Sequence, residues 1–108
     1  MRQAFYGPVK NSSIAMSHYN IGLELRLLGQ NDMALHHLEE ALEMEKEFLG
    51  QNHIEIARTL WELSDTHLAL KDTKSAKTAI AEAHAIASKA EGDPETKQFI
   101  EEAYNALH

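Results

Sequence analysis

The chain has 108 residues, 44% of them hydrophobic and 6% aromatic, with a formal net charge of −7. That length holds one small domain with a modest core, and the acidic balance disfavours nucleic-acid backbones and anionic membrane surfaces as partners. The absence of cysteine removes disulfides, thiolate metal sites and thiol nucleophiles and suits a reducing, cytoplasmic setting; no apolar run approaches the ~20 residues of a membrane span, and the opening MRQAFYGPVK lacks the apolar core of a secretory signal.

Runs of alternating β-branched and aromatic residues are missing, so the expectation is an all-α chain. Asn11, Ser12 or Ser13 can cap a first helix that runs to about Leu28 and stops at Gly29. Asn31 or Asp32 starts a second, which reaches Leu49 before Gly50. Asn52, with Glu55 three residues on, reads as a capping box for a third helix ending near Leu70. Asp72 or Thr73 starts a fourth that ends near Glu91, ahead of Gly92. Asp93 followed by Pro94 is a cap with proline at the first helical position, and opens a last helix to about Leu107. Connections this short turn successive helices antiparallel.

The chain repeats itself 42 positions on. Ala15 meets Ala57, Ile21 meets Leu63, Gly22 meets Ser64, Ala34 meets Ala76, Leu38 meets Ile80, Ala41 meets Ala83 and Met44 meets Ile86. Size is kept as well as polarity, and a fixed period in this range marks a stacked helical array. Gly22, Ala34 and Ala41 are small because helix axes press together there, while Ile21, Leu25 and Leu38 fill the space around them. The stripe of the first helix that meets its partner is His18, Ile21, Gly22 and Leu25; one core position is weaker in the second copy, where His67 stands opposite Leu25.

No catalytic, cofactor or metal constellation emerges. His36 and Glu40 form an i, i+4 pair, but a solvated polar face explains them, and the run HLEEALEMEKE reads as the charged, solvent-facing side of an amphipathic helix. A second stripe on the first helix of each pair is more informative. It comprises Met16, Tyr19, Leu23 and Arg26 in one copy and Arg58, Trp61, Asp65 and Leu68 in the other, at the same spacings.

The small and apolar positions Ile21, Gly22, Leu25, Ala34, Leu38 and Ala41, echoed by Leu63, Ser64, Ala76, Ile80 and Ala83, resemble the tetratricopeptide repeat. The period of 42, and Leu49, Gly50 and His53 in FLGQNHIEIA, look like the longer repeats of kinesin light chains and of bacterial peptide-sensing regulators, with Ile54 where the light-chain linker carries proline. The resemblance implies an α-solenoid of antiparallel helix pairs: residues 1–11 a linker or the tail of a preceding repeat, 12–52 one repeat, 53–92 a second, 93–108 a capping helix. FYGPVKNSSIA echoes the inter-repeat linker; a leader that matches it by accident is the alternative.

The resemblance also implies that the informative stripe lines a concave groove. Its candidate residues are Met16, Tyr19, Asn20, Leu23, Arg26, Leu27, Arg58, Trp61, Glu62 and Asp65. Aromatic rings and arginines of this kind supply much of the energy at binding surfaces. Asn20 matches a position where light-chain-type repeats carry an asparagine able to donate to and accept from a peptide backbone; Glu62 replaces it in the second copy. The carboxylate clamp of some co-chaperones needs lysine and asparagine where Tyr19, Leu23, Trp61 and Asp65 stand, so no such clamp is expected. The implied function is a protein- or peptide-binding module without a cofactor. The alternatives are a structural, self-associating segment in which Trp61 and Tyr19 pack between repeats, and a regulatory array of a larger protein.

Overall fold

The computed structural model describes residues 2–50 and 53–107, with side chains from residue 14 on. Five α-helices follow one another: α1 Arg2–Leu27, α2 Asn31–Leu49, α3 Ile54–Ala69, α4 Thr73–Lys89 and α5 Pro94–Leu107. There is no strand among the described residues. Helix α1 packs chiefly on α2 and α3 on α4; α2 joins the two pairs through α3, and α5 closes the far end against α4.

The close approaches expected of the small residues are present. Ala34, Leu38, Ala41, Ala76, Ile80 and Ala83 are fully buried. A Cβ added to Gly22 would lie 2.7 Å from Leu38 Cγ and 2.9 Å from its Cδ2, so glycine sets the distance between α1 and α2. The second pair has room for one hydroxymethyl more. Ser64 is buried there, and its Oγ donates to the Ala76 carbonyl at 3.0 Å. The contact is the same in kind, a helix held close to its partner, but here a hydrogen bond takes the place of bare backbone.

The helix ends differ from expectation at several points. Helix α1 starts at Arg2, so Asn11, Ser12 and Ser13 lie inside it and do not cap it. A helix that is already running N-terminal to such residues continues through them, because their helix propensity is only moderately poor. At the other end Gly29, with φ +82°, makes a Schellman turn: Gln30 N–H donates to Leu25 O at 2.8 Å and Gly29 N–H to Arg26 O at 3.0 Å. That turn places Gln30 at the N-cap of α2, without a side-chain cap bond, and makes Asn31 the first helical residue. Neither Asn31 nor Asp32 is the cap.

Lys71 repeats the Gly29 turn 42 positions on. Its φ is +66°, and Asp72 N–H donates to His67 O at 2.8 Å. Asp72 then caps α4, its Oδ1 accepting from Ser75 N–H at 3.1 Å; those bonds hold its carboxyl below the usual range. Helix α4 ends at Lys89, two residues before Glu91. At α3 the N-cap is His53, whose Nδ1 accepts from Glu55 N–H at 3.1 Å. The expected cap, Asn52, lies outside the described residues. Asp93 opens α5 as its sequence implies, accepting from Glu95 N–H and from the Thr96 hydroxyl.

Three expected core residues are not fully buried. Ile21 is 43% exposed, whereas its counterpart Leu63 is 3% exposed. Leu63 belongs to the core cluster, against which Leu42 of α2 packs, and Ile21 does not. Leu25 and Met44 are half-buried. His18 and His37 meet across α1 and α2 with Nδ1 atoms 2.9 Å apart and rings stacked.

Candidate functional site

The candidate stripe residues fall into three groups. Met16, Tyr19 and Asn20 of α1 face Arg58 of α3 across a cleft of about 370 Å³. Helical periodicity places them so: Met16, Tyr19 and Asn20, at i, i+3 and i+4, lie on one side of α1. The C-terminal turn of α2 forms the rest of the wall with Glu45, Phe48 and Leu49. His53, Glu55 and Thr59 complete the α3 side. The volume is in the range of pockets that hold one or two side chains or a small ligand.

Arg26, Glu62 and Asp65 form the second group, and they hold one another. Arg26 Nη2 donates to Glu62 Oε1 at 2.6 Å, and Nη1 stands 3.8 Å from Asp65 Oδ2. Arg26 therefore meets carboxylates of its own chain, tying α1 to α3. Its Nε is buried with no hydrogen-bond partner among the described residues. Burial raises the Glu62 carboxyl above its usual value while Arg26 pulls it back, and burial also raises Asp65.

Trp61 belongs to the third group. It is half-buried and stacks on Phe99 of α5, with ring centroids 5.8 Å apart and planes 9° from parallel. The indole is committed on one face to the last helix. Leu23 is half-buried outside the cleft, and Leu27 is 83% exposed on the solvent side of the last turn of α1.

Glu45 is the residue that sequence reasoning missed. It lies in the charge run expected to face solvent, yet it is only 7% exposed. The repeat carried the signal: 42 positions on stands Ala87, a core residue at 3% exposure, so Glu45 occupies a position of the buried stripe Ala34, Leu38, Ala41. The Thr59 hydroxyl donates to Glu45 Oε1 at 2.7 Å, with the Glu55 carbonyl 3.1 Å away as the alternative acceptor. Burial pushes the Glu45 carboxyl up to about 7, although the Thr59 bond and the Arg58 charge both favour the ionised form. Burial, reinforced by the Glu62 charge, pushes the Tyr19 phenol up to about 12, so it remains a hydrogen-bond donor at neutral pH.

The site offers donors, acceptors, a buried acid and apolar walls without a nucleophile–base pair. No group of three or more His, Asp or Glu side chains is placed to hold a metal ion among the described residues. No helix among them is long and apolar enough to cross a membrane.

A family model described as tetratricopeptide repeat matches residues 13–89, which takes in both helix pairs. No curated protein and no solved structure matches the chain.

Proposed function

Because the chain belongs to the tetratricopeptide repeat family, a fold that serves as a scaffold for protein–protein contacts, we propose that it holds a peptide in the cleft between α1 and α3. The observation that carries this reading is the cleft itself. Residues of α1, of the C-terminal part of α2 and of the start of α3 line it together, with apolar Ala15, Met16, Phe48 and Leu49 beside polar Tyr19, Asn20 and Arg58. Asn20 is exposed at its edge, with an amide able to meet both a backbone N–H and a carbonyl. Tyr19 supplies a rigid ring and a donor, and Arg58 a cation for carbonyl or acidic groups. The period of 42 and the Leu49-Gly50 linker support the kinesin-light-chain type of repeat within the family, and the cysteine-free composition supports a cytoplasmic setting.

The test is selection from a displayed library of random peptides, followed by rebinding to variants. Peptides retained by the native chain should lose affinity on Tyr19→Ala and Arg58→Ala and keep it on Lys97→Ala, which lies on α5 away from the cleft. Peptides that bind all three variants as well as the native chain would count against the groove.

A second reading has its own observation. Ile21, Leu28 and Met33 form exposed apolar surface on the first helix pair, at 43%, 70% and 52% exposure. That surface supports a stacking or self-associating segment of a longer array, and it predicts a sedimentation coefficient that rises with concentration. A regulatory array of a larger protein would use the same groove.

A further inference from the structure

Resting on the groove reading, we infer that the α1–α3 cleft selects a peptide carrying a basic side chain, which seats its cationic head against Glu45 and lays its aliphatic stem on Met16 and Phe48. The acid is built into the cleft. Glu45 is 7% exposed and lines the cavity, and Thr59 satisfies one of its oxygens at 2.7 Å. The other oxygen makes no hydrogen bond among the described residues and keeps contact with solvent, so it is open to a group entering the cleft. A buried carboxylate left half-satisfied gains more from an incoming cation than a solvated one does, because the pair forms where water screens it poorly.

The charges around the acid leave room for that cation. From α1 the facing titratable group is Tyr19, which is neutral. From the start of α3 come Glu55 and Arg58, and from its cap His53, whose Nδ1 is an acceptor and so carries no proton. Two carboxylates thus share the cleft with one fixed cation. The walls suit a long basic side chain in particular. Met16 and Phe48 are 60% and 40% exposed at the mouth, and Leu49 and Ala15 lie deeper. Lysine and arginine bury their methylene stems on such surfaces while the charged head reaches a polar group. The acidic chain as a whole, at −7, draws a basic segment toward it.

Burial holds Glu45 partly protonated near neutrality. Binding of a cation therefore releases a proton, and affinity rises with pH across the range in which Glu45 ionises. The slope is assigned to Glu45 by its loss in the Glu45→Gln variant.

The experiment uses four pools of acetylated, amidated nonapeptides with random flanks and a central residue fixed as lysine, arginine, norleucine or glutamate. Retention of each pool by the native chain and by Glu45→Gln is measured at pH 6 and pH 8. Glutamine keeps an acceptor for the Thr59 hydroxyl, and circular dichroism verifies the fold of the variant. The expected result is retention of the lysine and arginine pools about tenfold over norleucine at pH 8, the scale of one charge-assisted hydrogen bond. The preference should shrink at pH 6 and disappear in Glu45→Gln at both values. Equal retention of the lysine, arginine and norleucine pools overturns the inference but leaves the groove reading standing, provided that Tyr19→Ala abolishes the binding. A basic preference that persists unchanged in Glu45→Gln also overturns it. Retention of no pool at all overturns the inference and the groove reading together.

Discussion

Replacing Gly22 by alanine tests the packing on which both repeats depend. A Cβ at this position stands 2.7 Å from Leu38 Cγ and 2.9 Å from Cδ2, against an ordinary carbon–carbon separation of about 3.5–4.0 Å. The overlap is close to 1 Å, and Leu38 has no exposed surface into which it can retreat. Overpacking of this kind costs about 1–3 kcal/mol. Alanine recovers up to about 1 kcal/mol through its better helix propensity. The balance is a destabilisation of about 1 kcal/mol, or roughly 4–8 °C in Tm for a domain of this size. Urea unfolding of Gly22→Ala, Leu38→Ala and the double variant separates the two terms. In the Leu38→Ala background the obstructing Cγ is gone, so the same Gly22→Ala change should become stabilising, by up to about 1 kcal/mol. Gly29→Ala is the contrast: nothing lies within 4 Å of its Cβ, and its cost comes from a φ of +82° alone. A Gly22→Ala variant more stable than the native chain would refute the claim that glycine sets the spacing of α1 and α2.

Three further predictions follow from single residues. Burial pushes the Glu45 carboxyl from its ordinary 4.5 up to about 7 in the folded chain. The folded chain therefore holds a proton that the unfolded chain has lost, and stability falls as pH rises from about 4.5 to 7. Glu45→Gln should match the native chain near pH 4 and exceed it near pH 8 by on the order of 2 kcal/mol, once water reaching the cleft is allowed for; equal denaturation midpoints at pH 8 would contradict this. Lys71→Gly should stabilise the chain by about 0.5–1 kcal/mol in thermal unfolding, because the exposed lysine sits at φ +66° in a turn that glycine adopts without strain. Ser64→Ala should cost about 1 kcal/mol in urea unfolding through loss of the buried bond to the Ala76 carbonyl.

The repeat made the architecture legible. Ala34 with Ala76 and Leu38 with Ile80 keep their sizes because each stands at the same buried position of its helix pair, and all four are fully buried. Helix ends were less legible where backbone geometry decides them. Gln30 caps α2 because the turn at Gly29 delivers it there, and Lys71 accepts a left-handed conformation that its side chain does not advertise. Burial that depends on neighbours was harder still. Ile21 and Leu63 are equivalent in sequence, but only Leu63 joins the buried core. The stripe was legible as a pattern of residues, but its electrostatics were not. Arg26, Glu62 and Asp65 pair across two repeats, and Glu45 was hidden by a run of charges although the period sets it opposite Ala87. Trp61 turned on α5: a partner for one face of the indole came from Phe99, beyond the second repeat.

The most direct test of the groove is a map of side-chain NMR shifts as a library-selected peptide is titrated into the labelled chain. The expected shifts are concentrated in the Met16 methyl, the Asn20 amide, the Leu49 methyls and the Arg58 Nε, all of which line the cleft. Shifts confined to Met33, Leu28 and Ile21, with the cleft residues unmoved, would place the binding face on the outer side of the first helix pair and contradict the account.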